Sequence, residues 1–202
     1  MATPGNSRGT VVDQADMRES LLETAVEMFS EKGFSGTSIR DIAREHGVSL
    51  SNIYYYFSNK EGLWREIMNR SVRSLPGRLR AAIAQADTPR AQLDALIREH
   101  LRAGVEHQRE LLMLLTEQGQ LGEDSSRETL EIQREILEIY TAVLEALSAE
   151  GALHEGHIRV AVFNILGVVN WHLRWYRADG PLPADTLHQE ITNFISRAVC
   201  RD

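Results

Sequence analysis

Apolar positions recur three and four residues apart along nearly the whole chain, which is the period of helix and not of strand. From Val12 onward, Leu21, Leu22, Ala25, Met28 and Phe29 fall on one side of a first helix, and Gly33 is placed to end it. A short second helix is expected over 38–46, capped by Thr37, with Ile39, Ile42 and Ala43 facing inward and Gly47 ending it. A third segment starts at Ser49 and ends near Phe57. A fourth helix is expected from about Lys60 through Leu75, with Leu63, Trp64 and Ile67 on its apolar side, until Pro76-Gly77 interrupts it. The short helices are too brief to be stable separately. They must share a core of Phe29, Ile39, Ile42, Val48, Ile53 and Phe57.

The same period continues, giving helices at about 78–86, 89–106, 108–118, 125–149, 155–177 and 184–199. Asp87-Thr88-Pro89, Gly119–Ser125, Gly151 and Asp179-Gly180-Pro181 separate several of them. No run alternates as a strand would. The expected fold is all-α: a three-helix unit with a helix-turn-helix over residues 12–68, then a larger helical domain over 69–200. The last two long helices carry apolar faces, Val162, Phe163, Leu166, Val169, Asn170 and Leu173 on one and Leu187, Ile191, Phe194, Ile195 and Val199 on the other. Two such helices from each of two subunits would make a four-helix homodimer seam, with Gly167 permitting close approach. A purely intrachain bundle is the alternative. Residues 1–11 read as a loose arm whose Arg8 could touch a DNA backbone.

Composition narrows the function. The 202 residues are 43% hydrophobic and 25% charged, an ordinary globular usage with room for a sizeable core. The formal net charge is -7, and neither the part up to Arg70 nor the remainder is basic. A protein that coats nucleic acid is excluded, whereas a site-specific reader with a small footprint is not. Cys200 is the only cysteine, which excludes an internal disulfide and a Cys-rich metal site and fits a reducing compartment. The start lacks a signal-peptide pattern, and the apolar stretch near Val160–Leu173 is broken by Asn164 and Asn170, so a cytoplasmic, non-membrane protein is expected.

The span 37–57 reads as helix, tight turn, helix. Gly47 can take a positive φ, Val48 plugs the angle, and Ser49 caps a second helix short enough to enter a major groove. The stretch TSIRDIAREHGVSLSNIYYYFSNKEGLW resembles the DNA-binding region of TetR-type transcriptional repressors, over about residues 14–68. Its most specific feature is Tyr54-x-Tyr56-Phe57-x-x-Lys60 following Gly47-Val48-Ser49. The resemblance implies operator contacts by Ser38, Arg40, Leu50, Ser51, Asn52, Tyr54, Tyr55, Tyr56 and Lys60, with Thr37 and Ser49 in the same set. The chemistry agrees: Asn52 can pair with an adenine edge, Ser51 can bond a base edge, and Leu50 can meet a thymine methyl. The Tyr54 and Tyr56 hydroxyls, Thr37 and the Lys60 ammonium suit phosphate oxygens. Three consecutive tyrosines cannot all point inward, so at least one ring faces out. Arg40 could instead pair with a neighbouring acid. Residues 35–60 carry a charge of only +1.

The C-terminal sequence ILGVVNWHLRWYRADGPLP is similar to a signature in the branch of these repressors that governs fatty-acid and steroid breakdown and binds acyl-CoA thioesters. That resemblance implies a small-molecule effector, an acyl-CoA, that releases DNA. An acyl tail needs an apolar wall, for which Leu101, Val105, Leu111, Leu114, Leu115, Ile136, Tyr140, Phe163 and Leu166 are candidates. Arg102, Arg109, Arg174 and Arg177 are candidate cations for phosphates, and His107 and Asn170 candidate partners for a thioester. Bland alternatives stand beside them. Arg177 could pair with Asp179, Asn170 could cross the dimer seam, and Trp171 and Trp175 could simply share a packed helical face. His154 and His157 have the spacing of ligands on one helical face, but two histidines with no HExxH or cysteine cluster make a weak metal signal. No nucleotide-binding or nucleophile-elbow motif occurs, so neither a cofactor nor an enzymatic activity is expected. A lipophilic or cationic drug-like effector is the alternative to acyl-CoA. An acidic ring in the site would favour the cation and a basic mouth would favour CoA. A helical enzyme or carrier and a nucleoid-type protein complete the alternatives.

Overall fold

The computed structural model describes residues 9–116 and 123–201, and they form ten α-helices. In chain order these are α1 (Gly9–Gly36), α2 (Ile39–His46), α3 (Leu50–Tyr56), α4 (Lys60–Ser71), α5 (Leu75–Ile83), α6 (Pro89–Glu106), α7 (Gln108–Thr116), α8 (Glu123–Ala149), α9 (Ile158–Trp171) and α10 (Ala184–Val199). A 3-10 turn, His172–Arg174, follows α9. The described residues contain no strand ladder, only one isolated bridge between Leu153 and Cys200. The fold is therefore all-α. No described helix is long and apolar enough to cross a membrane. The proposed arm with Arg8, and most of the expected loop at Gly119–Ser125, lie outside the described residues, while α8 has begun by Glu123.

Local chemistry sets most of the boundaries. Gly33 has φ 74° and breaks the course of α1 there, where a side chain would be strained. The cap of α2 is Ser38, not Thr37: its hydroxyl accepts from the Asp41 N–H and Asp41 returns a bond to the Ser38 N–H, a capping box. Gly47 ends α2 in the left-handed region at φ 77°. Ser49 and Asn59 cap α3 and α4. The fourth helix stops at Ser71, short of the expected Leu75. Pro76 is not the breaker either, for it sits in the first turn of α5, where its missing N–H costs nothing. The penultimate helix also ends early, at Trp171, so Trp175 lies beyond it and both tryptophans are exposed and not packed on a common face. His154 and His157 both precede α9 and share no helical face.

One continuous core runs from Leu21 in α1 to Cys200 at the end of α10. The central helix is α6, which packs on α5, α8, α9 and α10 and buries Leu93, Leu96, Ile97, His100, Leu101 and Gly104. Gly104 is required by its neighbour, because a Cβ there would meet Cε1 of His172 at 2.5 Å. Helix α7 packs on both α1 and α4, so it joins the N-terminal helices to the rest. The chain's end returns to the α8–α9 loop through His154 N–H to Val199 O and Arg201 N–H to Ala152 O, both 2.9 Å.

Candidate nucleic-acid interface and effector site

Helices α2 and α3 meet at an angle held by local bonds. The Val48 N–H donates to Ala43 O at 3.0 Å, and His46 Nδ1 lies 2.8 Å from the Thr24 hydroxyl, tying the end of α2 to α1. Ile53 and Phe57 are buried below α3, Val48 packs against the same core, and Leu50 and Tyr56 are half-buried at its edges. That anchoring leaves Ser51, Asn52, Tyr54 and Tyr55 on the outer side. Tyr55 is 70% exposed and meets the Tyr56 ring edge-on at 5.0 Å. An exposed tyrosine braced by a second ring is a stiff amphipathic contact group.

The other DNA-contact candidates divide. Ser38 is exposed, but its hydroxyl donates to Asp41 at 2.5 Å and accepts the Asp41 N–H. Those Ser38 bonds, followed by Arg44, hold the Asp41 carboxyl below its ordinary range. Arg44 takes Asp41 at 2.5 Å, which leaves the exposed Arg40 without a carboxylate partner among the described residues. Thr37 is a correction. It is buried, and its hydroxyl donates inward to Met28 O and Gly33 O at 3.2 and 3.0 Å, so it pins the corner between α1 and α2 and does not reach a phosphate. Lys60 also turns inward. Its ammonium donates to Phe34 O at 2.8 Å and Thr37 O at 3.0 Å and sits 4.3 Å from the centre of the Phe34 ring. One ammonium proton is left for an outside acceptor. Two acidic residues of α1 are paired, Glu19 with Arg70 and Glu27 with Arg109, while Arg18 of α1 reaches Glu66 of α4 at 2.6 Å.

In the larger helical part, Leu101, Leu111, Leu114, Ile136 and Tyr140 are all core residues, with Val105, His107, Leu166 and Asn170 half-buried around them. Phe163 is a correction. It is 53% exposed on the outer side of α9 and walls no interior site. Leu115 is exposed as well. The cation candidates are mostly committed: Arg102 to Glu99 at 2.6 Å, Arg109 to Glu27 at 3.3 Å, and Arg177 to Asp179 at 3.2 Å. Arg174 has no carboxylate partner among the described residues and lies 5.9 Å from the Trp171 ring. Arg109 and Arg174 meet at one cleft of about 360 Å³ between α1, α7 and the 3-10 turn, beside Leu112, Met113 and Leu173.

A second cleft, of about 90 Å³, lies between α4, α5 and α8. Trp64, Met68, Pro76 and Ile132 share its lining with the polar Asn69 and Thr129 and with charges of both signs, Arg65 and Arg73 beside Glu128, Glu131 and Glu135. Beyond Val162 and Val169, which face inward, α9 leaves Val160, Phe163, Gly167 and Trp171 outward, and α10 leaves Phe194 outward. The two apolar faces read from sequence are therefore divided between the interior and the outside of the chain. Val162, Val169, Leu173, Leu187 and Ile195 belong to the intrachain core.

A buried polar group escaped sequence reasoning. His100 Nδ1 is 3.1 Å from the Tyr140 hydroxyl. Burial, and then the neighbouring His172, push His100 down to about 4, against a weaker upward pull from Glu99. Burial alone raises Tyr140. His172 sits on Gly104, bonds Val169 O through Nδ1, and is lowered chiefly by burial. The available signal was position: His100 occupies the same side of α6 as Leu93, Leu96 and Ile97.

Comparison with known proteins places this geometry. Residues 21–67 match the family described as bacterial regulatory proteins, tetR family, and residues 86–199 match the tetracyclin repressor-like C-terminal domain. The HTH-type transcriptional repressor KstR2 of Rhodococcus jostii is 27% identical over 181 residues, 88% of each chain. The structure of the ketosteroid transcriptional regulator KstR2 of Mycobacterium tuberculosis superposes with a TM-score of 0.86 at 24% identity, over 100% of this chain and 99% of that one. AibR in complex with isovaleryl coenzyme A and operator DNA superposes with a TM-score of 0.77 at 21% identity, over 88% and 97%. These last two likenesses are likenesses of fold.

Proposed function

The chain belongs to the TetR family of bacterial regulatory proteins, and we propose that it is a homodimeric repressor released from its operator by an acyl-CoA thioester. As a TetR-type chain it is a ligand-responsive DNA-binding regulator and not an enzyme. The observation that carries the DNA-reading part is the outer side of α3, where Ser51, Asn52, Tyr54 and Tyr55 stand free on a buried Ile53 and Phe57. In this reading residues 12–68 read DNA and residues 69–200 pair and sense. Asn52 and Ser51 address base edges, Leu50 a thymine methyl, and Ser38, Arg40, Ser49, Tyr54, Tyr55 and Tyr56 the flanking edges and phosphates. Lys60 keeps one proton for a phosphate. The seam between subunits is the outward row of α9 with Phe194 of α10, two apolar faces otherwise left to water.

The acyl-CoA part rests on the likeness to KstR2 and to AibR, which is held with isovaleryl coenzyme A. The cleft at Arg109 and Arg174 supports this reading: its wall is partly apolar, Arg174 has no carboxylate partner among the described residues, and the exposed pair of Arg109 with Glu27 would have to open for a phosphate. A second reading, a cationic lipophile, draws only on the excess of three glutamates over Arg65 and Arg73 around the smaller cleft, where Glu128 and Glu135 are already paired with arginines. Release requires that the effector bind the DNA-incompetent state more tightly, and α4, shared by both parts, is the element through which that preference reaches α3. Fluorescence anisotropy on a labelled operator duplex tests it. Isovaleryl-CoA or a longer acyl-CoA is expected to weaken binding by about tenfold or more, with free coenzyme A inert. Operator binding that no thioester weakens would refute the effector class.

A further inference from the structure

Helix α3 carries no charged side chain, so any cation that neutralises phosphate beside it belongs to another part of the DNA-reading helices. Most of those cations are committed. Arg18, Arg65 and Arg70 lie on Glu66, Glu128 and Glu19, and Lys60 spends two N–H bonds on Phe34 O and Thr37 O. The His46 ring rests on the Thr24 hydroxyl, and Lys32 stands on α1. Within the helix-turn-helix itself the remaining cations are Arg40 and Arg44, both exposed on α2.

Their placement on α2 is one-sided. Positions i and i+4 are just over one turn apart, so the two arginines lie about 40° apart around the axis and about 6 Å apart along it. Asp41 and Glu45 occupy the other flank, and Ile39, Ile42 and Ala43 are buried beneath both. The Asp41 carboxylate draws Arg44 back toward the start of the helix. One of its oxygens takes the Ser38 N–H at 3.2 Å and the Ser38 hydroxyl at 2.5 Å, and the other takes Arg44 Nη2 at 2.5 Å. The guanidinium is thus held at the turn that carries Arg40, and its side chain is still 78% exposed. A guanidinium presents several N–H donors in one plane, so the bond to Asp41 leaves the others open to a second anion.

In a helix-turn-helix the second helix lies in the major groove while the first crosses the backbone. A cation on α2 therefore meets phosphate and not a base edge. We infer that Arg44 is a phosphate contact of the operator interface, made by the N–H groups that Asp41 leaves free. This rests on the DNA-reading role of α3 and extends the contacts to a residue that the expected set omits. The competing explanation is that Arg44 only offsets the Asp41 charge in front of DNA. In that case the arginine touches no phosphate, and its loss is felt alike along the whole site.

The test uses full-length protein and the duplex that it enriches from a random pool, with anisotropy read over a salt series. Arg44→Ala is expected to reduce the slope of log K against log salt by about 0.9 for each subunit. Arg44→Lys keeps the charge and should keep most of that slope. An unchanged slope in Arg44→Ala overturns the inference. The same duplex is then made with one phosphate at a time replaced by an uncharged methylphosphonate. In each half-site, one replacement that weakens binding of the native protein is expected to have no effect on Arg44→Ala, while the other sensitive positions keep theirs. If every sensitive position keeps its effect, Arg44 acts only through Asp41 and the inference falls. Recovery of no preferred duplex would overturn the DNA-reading role and this inference together. A preferred duplex that needs Asn52 and is indifferent to Arg44 would overturn this one alone.

Discussion

Lys60 separates an inward role from an outward one, and Lys60→Met tests which of the two it performs. Methionine keeps an apolar stem of similar length and removes the charge. Two charge-assisted bonds to backbone carbonyls, at 2.8 and 3.0 Å, and a ring contact at 4.3 Å are lost. Each such bond contributes about 1.5–3 kcal/mol in favourable surroundings and the ring contact about 0.5–1. Lys60 is only half-buried, and water can serve the freed carbonyls, so the sum is discounted to about 2 kcal/mol. For a chain of this size that lowers Tm by about 4–8 °C. The assay is thermal unfolding by circular dichroism, run beside operator anisotropy over a salt series. If Lys60 were purely a phosphate contact, Tm would stay and the salt slope would fall by about 0.9 for each subunit. An unchanged Tm with that slope change would refute the inward role. A lowered Tm with an unchanged slope would show that Lys60 acts on DNA only through the corner it pins.

Three further outcomes follow from the packing. Gly104→Ala places a Cβ 2.5 Å from the His172 ring, and should cost about 1–3 kcal/mol by urea unfolding, with His172→Ala in the same chain restoring most of it. His100 is held neutral at about 4 against 6.5 when free, so the unfolded chain binds the extra proton between those values. Stability should therefore be complete above pH 6.5 and fall by up to about 3 kcal/mol as pH drops toward 4, a loss that His100→Gln should blunt in urea midpoints taken across that range. Phe194→Glu puts a charge on the outward face of α10, where the side chain is 62% exposed in one subunit, and sedimentation should show monomer with an unchanged helical spectrum. A persistent dimer would move the seam elsewhere.

The helices were legible because their apolar period is strong and some of their caps are explicit, as Ser49 and Gly47 show. The helix-turn-helix and the outward tyrosine also followed from sequence, since a seven-residue α3 has too little inner surface for three rings. Thr37 did not. A threonine beside a serine reads as an equal cap, and only the return of α1 at Gly33 supplies the two carbonyls that draw its hydroxyl inward. The inward bonds of Lys60 were hidden for the same reason, as their acceptors are 26 and 23 residues away along the chain. The C-terminal apolar faces were visible, but periodicity could not say which side of α9 meets α8 and which is left outside. Phe163 was consequently assigned both to the seam and to the effector wall, and the fold keeps it outside. The buried Trp64 indole N–H, left without an acceptor among the described residues, is a tertiary property with no sequence signal at all.

The most direct test of the central claim is selection of bound duplexes from a random pool by the full-length protein. The expected result is enrichment of one pseudo-palindrome with half-sites about 10 base pairs apart, or a multiple of that, as two copies of α3 on one face of DNA require. Its binding should be weakened by Asn52→Ala in proportion to the lost base contact, about 1–3 kcal/mol. Uniform recovery of unrelated sequences, or enrichment that Asn52→Ala and Tyr55→Ala leave untouched, would contradict it.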